Sequence, residues 1–262
     1  MPLATFSCSF TLVAYLTGML LLFITTLASP WSESNSEQPH QSKLTEREFF
    51  QERYNRTLTA YHKEKENPEL AICYVLAAFE WAELALNSSE RESTATSAID
   101  VCRRFLSSSS HQAQANYYLA LNLGQLAKTK WLGALRLVTE MEKRLHTARS
   151  LDHSLDNGGP DRALSRLYFQ APGWPTSVGN KDKAIRHAKN AIAAAPNYPG
   201  NRLSYLEILL DHNSYKEAKR QGGITSEVLK NARSELDSTY WSHSWKIWDK
   251  TWNTLRERLR KP

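Results

Sequence analysis

Three alanines and a proline restrict the architecture of this chain more than any other feature. Ala184, Ala188 and Ala191 stand at +0, +4 and +7, and Pro196 follows. On a helix that spacing lays small side chains along one stripe, where a neighbouring helix can come close, and the proline stops the run where the chain must turn. Ala218 comes 34 residues after Ala184, inside Asn213-Ser-Tyr-Lys-Glu-Ala218. A stripe recurring at this interval predicts helix hairpins stacked in a row, each burying its apolar side against the next. Only ten Gly and ten Pro occur in 262 residues, and period-two alternation is nowhere sustained, so no sheet is expected.

The run A-x3-A-x2-A-x4-P resembles the end of a tetratricopeptide (TPR) helix pair, and the segment ending at Ala218 resembles the G-D-Y-x-E-A turn of that family. The fold class expected is therefore all-α, a TPR-like α-solenoid. Earlier helices follow the same rule. Glu69–Leu86 reads as a buried first helix, with Thr94–Leu106 as its partner carrying Ala98, Cys102 and Phe105 at matching offsets. Gln112–Lys128 reads as another first helix, with Tyr117, Leu121 and Gly124 supplying large and small faces, and Ala134 opens its partner. The anchors Ala98, Ala134, Ala184 and Ala218 lie 36, 50 and 34 residues apart, which predicts an insertion between Arg149 and Lys181.

The chain is expected to have three parts. Residues 1–28 contain no Lys, Arg, Asp or Glu, and Ser9–Ala28 is apolar over about the length that crosses a bilayer. They read as a signal peptide ending at Thr26-Leu27-Ala28 or as an N-terminal membrane anchor. Either places the chain in the periplasm, exported or tethered to the membrane. Cys8 precedes the apolar run, so it is not the lipidated cysteine of a lipoprotein. Residues 29–45, rich in Ser and Pro, read as a flexible linker. Residues 46–262 form the helical domain. It opens with Phe49, Phe50, Tyr54, Leu58 and Tyr61 on one helix face. It closes with a stripe of Trp241, Trp245, Trp248, Trp252, Leu255 and Leu259 that marks a C-terminal capping helix. Gly222-Gly223 is expected to interrupt the helix before Ser226.

Function is written less clearly. The net charge of +6 is modest and interspersed with acids, and its clearest cluster, Arg256–Lys261, suits a helix end, so nucleic acid is not an expected partner. No nucleophile elbow, P-loop, metalloprotease or CxxC motif occurs, and no cofactor or metal is expected. His146 and His153, near Asp152 and Asp156, read as a solvated helix end and not as a metal site. Cys73 and Cys102 fall on adjacent helices. A disulfide between them is one reading, and two buried thiols packing as small hydrophobes is the preferred one. The least generic residues sit in the insertion. Gly158-Gly159-Pro160-Asp161 starts a helix carrying Arg162, Arg166 and Tyr168, and Pro172–Pro175 then breaks it around Trp174, which is either a packing plug or part of a ligand site. First-helix residues Asn116, Asn122, Tyr205 and Asp211 are expected to line a concave face.

Residues 158–179, followed by the Ala/Pro ending, are similar to a family of bacterial exported TPR proteins, the T component associated with tripartite ATP-independent periplasmic (TRAP) transporters. That resemblance implies a periplasmic protein that associates with a solute-binding protein and takes part in handling small, including hydrophobic, organic ligands. Two functions follow as expectations: a scaffold holding a protein partner, or a carrier whose cavity is lined by Tyr168, Trp174 and the C-terminal tryptophans. Nothing in the sequence supplies an activated nucleophile, so an enzyme is not expected.

Overall fold

A computed structural model describes residues 45–107, 111–130 and 132–260. The segment expected to be a leader or anchor, almost all of the linker, and Cys8 lie outside the described residues. Among the described residues there are ten α-helices, one 3-10 turn (Thr239–Trp241) and no strand, only an isolated bridge between Gly173 and Gly179.

The helices are α1 (Glu46–Lys63), α2 (Pro68–Glu83), α3 (Ser88–Arg104), α4 (Gln112–Ala127), α5 (Ala134–Leu151), α6 (Leu155–Gln170), α7 (Lys181–Ala194), α8 (Pro199–Asp211), α9 (Tyr215–Glu235) and α10 (Ser242–Arg260). Short-range chemistry sets their starts. Asn67 caps α2 by accepting from the amides of Glu69 and Leu70, and Pro68 fills the first helical position. Asn87 caps α3 through the amide of Glu90, and Asn180 caps α7 through that of Lys183. Pro199 opens α8.

Four hairpins result: α2 with α3, α4 with α5, α6 with α7, and α8 with α9. The first helices α2, α4, α6 and α8 touch in sequence and form one layer, and α3, α5 and α7 each lie between consecutive first helices, while α9 lies between α8 and α10. The core runs along this layer through Tyr74, Tyr117, Leu119, Leu123, Leu164, Leu206 and Leu210, all nearly solvent-free. Helix α10 packs on α8 and α9. Trp245, Trp248 and Leu255 are buried there, with Trp241, Trp252 and Leu259 half-buried beside them, as expected of an end helix with one apolar stripe.

The repeat is less regular than the alanine spacing predicts. Second helices begin at 88, 134, 181 and 215, so their starts are 46, 47 and 34 residues apart, and the 34-residue interval holds for one step only. Ala98, Ala184 and Ala218 are fully buried, but Ala98 is the eleventh residue of α3 while the other two are fourth in their helices. Ala134 is the first residue of α5 and only half-buried; Leu145 and Ala148 make the buried contact instead. Nor is there an inserted half-repeat between Arg149 and Lys181. Helix α6 is itself the first helix of the third hairpin, and the surplus length goes into long α3 and α5 and the 171–180 loop.

Two glycine expectations resolve differently. Asp156, Asn157 and Gly158 take φ of 48°, 55° and 77°, a left-handed turn that feeds the helix proper, as the Gly-Gly-Pro-Asp start predicts. Gly222 does not interrupt α9, which runs unbroken through it. A Cβ there would stand 2.7 Å from Leu259 Cδ1, so the missing side chain makes room for α10.

Candidate functional site

Helix α6 carries three features in sixteen residues: a charged cluster on one side, a second on the other, and an ordered loop at its end.

The first cluster joins α6 to the first-helix layer. Arg162 donates to Asp156 Oδ2 at 2.7 Å, to the Asp156 and Asn157 carbonyls at 3.0 and 3.1 Å, and to Asn201 Oδ1 at 3.2 Å. Tyr117 donates to the same Asp156 oxygen at 2.6 Å, and the Arg162 guanidinium lies 4.8 Å above the Tyr198 ring. Asn201 returns three bonds, to the carbonyls of Asn157, Ala191 and Ala195. The bonds to Asp156 and Asn157 satisfy carbonyls that the left-handed turn takes out of the helical pattern, and those to Ala191 and Ala195 fasten the end of α7 to α8. Burial alone would lower the Arg162 pKa, but Asp156, Tyr117 and Tyr198 outweigh it and hold the guanidinium firmly charged.

The layer continues to Glu80, which accepts from Tyr240 at 2.7 Å and stands 2.9 Å from Arg53 Nε. Burial raises the Glu80 carboxyl pKa against the pull of Arg53. Burial also raises the phenols of Tyr117, Tyr118 and Tyr240, and that of Tyr198 to about 12. The phenols therefore stay protonated at neutral pH. The Asp156 and Glu80 carboxyl groups face Arg162 and Arg53, and the protonated phenols beside them act as hydrogen-bond donors.

The second cluster ties α6 to α5 and α7. Asp161, 2% exposed, accepts from His187 Nδ1 at 2.6 Å and from Arg149 Nε at 2.8 Å. Burial alone would raise its carboxyl, but His187 and Arg149 outweigh it and hold the pKa below the ordinary 3.8. Tyr168 stacks on His187 with ring centres 5.4 Å apart, bonds His146 Nε2 at 2.9 Å and donates to Glu142 at 2.6 Å. Burial lowers the His146 pKa, and His187, 5.8 Å away, lowers it further.

The third feature is the 171–180 loop. The Asn180 amide bonds the Tyr168 carbonyl, that of Gly179 bonds Pro172, and those of Thr176 and Ser177 bond Gly173. The closed loop presents Trp174 at 89% exposure. Trp174 is therefore neither a packing plug nor a cavity wall within this chain. Tyr168, buried in the second cluster, does not share a site with it.

Other expected positions are also redistributed. Asn116, Asn122 and Tyr205 are buried between helices and not on an open face. Asn116 bridges the Gln112 carbonyl and Arg144, and Asn122 donates to the carbonyls of Val75 and Tyr118. A polar residue inside a first helix here answers a neighbouring polar group. Asp211 is exposed and pairs with Arg258 of α10 at 2.5 Å. Arg166 is exposed on α6. Cys102 is a free, buried thiol whose pKa burial raises, so no Cys73–Cys102 bridge exists; Cys73 is itself disulfide-bonded, which corrects the expectation of two free thiols. Among the described residues no three His, Cys, Asp or Glu side chains gather as a metal site.

Sequence reasoning missed the Asp161–His187 pair, although a signal existed. His187 lies three residues after Ala184, on the buried alanine stripe, and a titratable side chain there requires a partner. Glu80, in an apolar first helix, carried the same signal.

No protein-family profile matches this chain, and no curated protein matches its sequence.

Proposed function

We propose that the chain is a non-enzymatic TPR-like scaffold of the cell envelope that holds a protein partner, in the TRAP resemblance a solute-binding protein. The observation that supports this reading is the continuity of the first-helix layer. Four first helices lie side by side, and stacked hairpins characteristically use such an extended face for binding. On α6 the layer offers Arg166 and Gln170, both exposed, at +4 and +8 from the fixed Arg162. The charged clusters on either side of α6 hold this stripe rigid, which lowers the ordering cost of docking.

The test is affinity capture from envelope extract with the full chain as bait, alongside Arg166→Glu. The expected result is one dominant protein retained by the wild type and weakened about tenfold or more by the charge reversal, as for a binding hot spot. Recovery of no specific protein, or a partner indifferent to Arg166→Glu, overturns the reading.

A further inference from the structure

Each hairpin turns once between its first and second helix, and because the first helices run parallel, these turns share one side of the array. Contacts across hairpins establish this arrangement. The end of α2 meets the end of α4 through Glu83 and Gln125 at 2.9 Å, and the end of α8 meets the start of α7 through His212 and Asp182 at 3.9 Å. At the other side the starts of α4, α6 and α8 meet through Tyr117, Asp156, Arg162 and Asn201.

Exposed apolar residues are not spread evenly between the two sides. Of the eight large hydrophobic residues most open to solvent among the described residues, five lie at the hairpin turns: Leu86, Leu132, Leu135, Trp174 and Tyr215, at 78, 82, 46, 89 and 54% exposure. Every one of the four turns contributes at least one. The opposite side contributes only Leu151.

Charge leans the same way. The four turns, residues 83–92, 128–136, 171–183 and 211–220, hold nine Lys or Arg against six Asp or Glu. The connections on the other side, residues 63–69, 103–107, 149–158 and 195–202, hold six against five. Arg136, Lys181, Lys216 and Lys219 are exposed on the turn side. The acids of the α2–α3 turn are engaged, Glu83 with Lys128, Glu92 with Lys130 and Glu90 with Arg47, so the open charge of this side is that of Arg136, Lys181, Lys216 and Lys219 and not of Lys128 or Lys130.

We propose that this turn side is a docking surface for an anionic lipid bilayer, going beyond the scaffold reading. Aromatic and leucine side chains interleaved with lysine suit the interfacial zone, where apolar bodies enter the headgroup region and ammonium groups meet phosphates. A protein partner at the same place would require a matched cavity for Trp174, whereas a bilayer accepts scattered single anchors on separate turns. Chain entry agrees with this choice. Helix α1 begins beside the α2–α3 turn, with Arg47 bonded to the Leu84 carbonyl and to Glu90, and the uncharged apolar run Ser9–Ala28 precedes it in sequence. Docking would leave Arg166 and the first-helix layer free for a partner.

The experiment is hydrogen–deuterium exchange on the full chain in three settings: detergent, nanodiscs of phosphatidylcholine, and nanodiscs of phosphatidylcholine with phosphatidylglycerol. Expected is slowed exchange in peptides covering 128–136, 171–181 and 212–220, strongest with phosphatidylglycerol, and unchanged exchange at 63–69 and 152–158. Each cation near an anionic surface is worth about fivefold in occupancy, so Lys216→Glu should reverse part of the protection and Lys181→Glu with Lys219→Glu most of it. Trp174→Ser should weaken protection in both lipids without changing exchange in detergent. Equal exchange at the three turns in all settings overturns the proposal. So does protection that arises only when envelope proteins are added, since that identifies the turn side as a protein-binding surface.

Discussion

Asp161 shows most directly how single residues hold this array. Its carboxylate is buried and bonded by both His187 and Arg149, so removing it leaves the buried His187 without its acceptor and Arg149 without its ion pair. Asp161→Ala should cost about 2–3 kcal/mol, below the roughly 3–5 kcal/mol of a fully buried broken pair because Arg149 is partly exposed, measured by urea unfolding. Its pH dependence has a definite sign. The folded pKa lies below the ordinary 3.8, so the contribution is complete above that value and is lost as pH falls through the folded pKa. Asp161→Asn should therefore flatten the acid limb of stability against pH. Gly158 gives a second test, since it combines φ of 77° with a Cβ position 2.9 Å from the Ala191 carbonyl oxygen. Gly158→Ala should cost about 1–3 kcal/mol and lower the melting temperature accordingly. The turn was legible because Gly-Gly-Pro-Asp has a local meaning. The Asp161–His187 pair was not, because its members are 26 residues apart and meet only after α6 and α7 fold together.

At the scale of elements, apolar periodicity located α2, α4 and α10 to within a few residues, while α3 begins six residues before the expected Thr94 and its Asn87 cap went unread; inter-helix register depends on which side chains fill which gaps. Ala134 matched the alanine pattern and still sits outside the contact, since Leu145 and Ala148 fill the space along the longer α5. Gly222 read as a helix breaker because nothing local reveals Leu259 of a helix still to come. Gly222→Leu should accordingly loosen α10 while α9 stays helical, visible as faster amide exchange confined to 242–260. Trp248→Ala, which empties a site beside Tyr198, should cost about 3–5 kcal/mol in the same unfolding assay. Trp174→Ser should leave stability within about 0.5 kcal/mol, because a side chain so exposed contributes little to folding.

The molecule from Glu46 onward meets its own beginning. Tyr240 bonds Glu80 of α2, and His243 and Lys246 at the start of α10 pair with Glu46 at the start of α1. Burial alone would raise the Glu46 carboxyl, but the bonds from Lys246 and His243 outweigh it and hold the pKa below the ordinary 4.5. That contribution is complete above this value and lost as pH falls through the folded pKa, so acid should release the start of α10 before the hairpins melt. Tryptophan emission shifting to the red at a higher pH than the loss of helical ellipticity would show it. A ring fastened in this way counts its members. Arrays of this kind ordinarily grow by duplicating a unit, yet a fifth hairpin between α9 and Tyr240 would carry the closing tyrosine away from Glu80 and leave Arg53 to hold that buried carboxylate. Four is thus the number for which this particular clasp is cut, and any natural variant with more or fewer must have replaced the fastening as well.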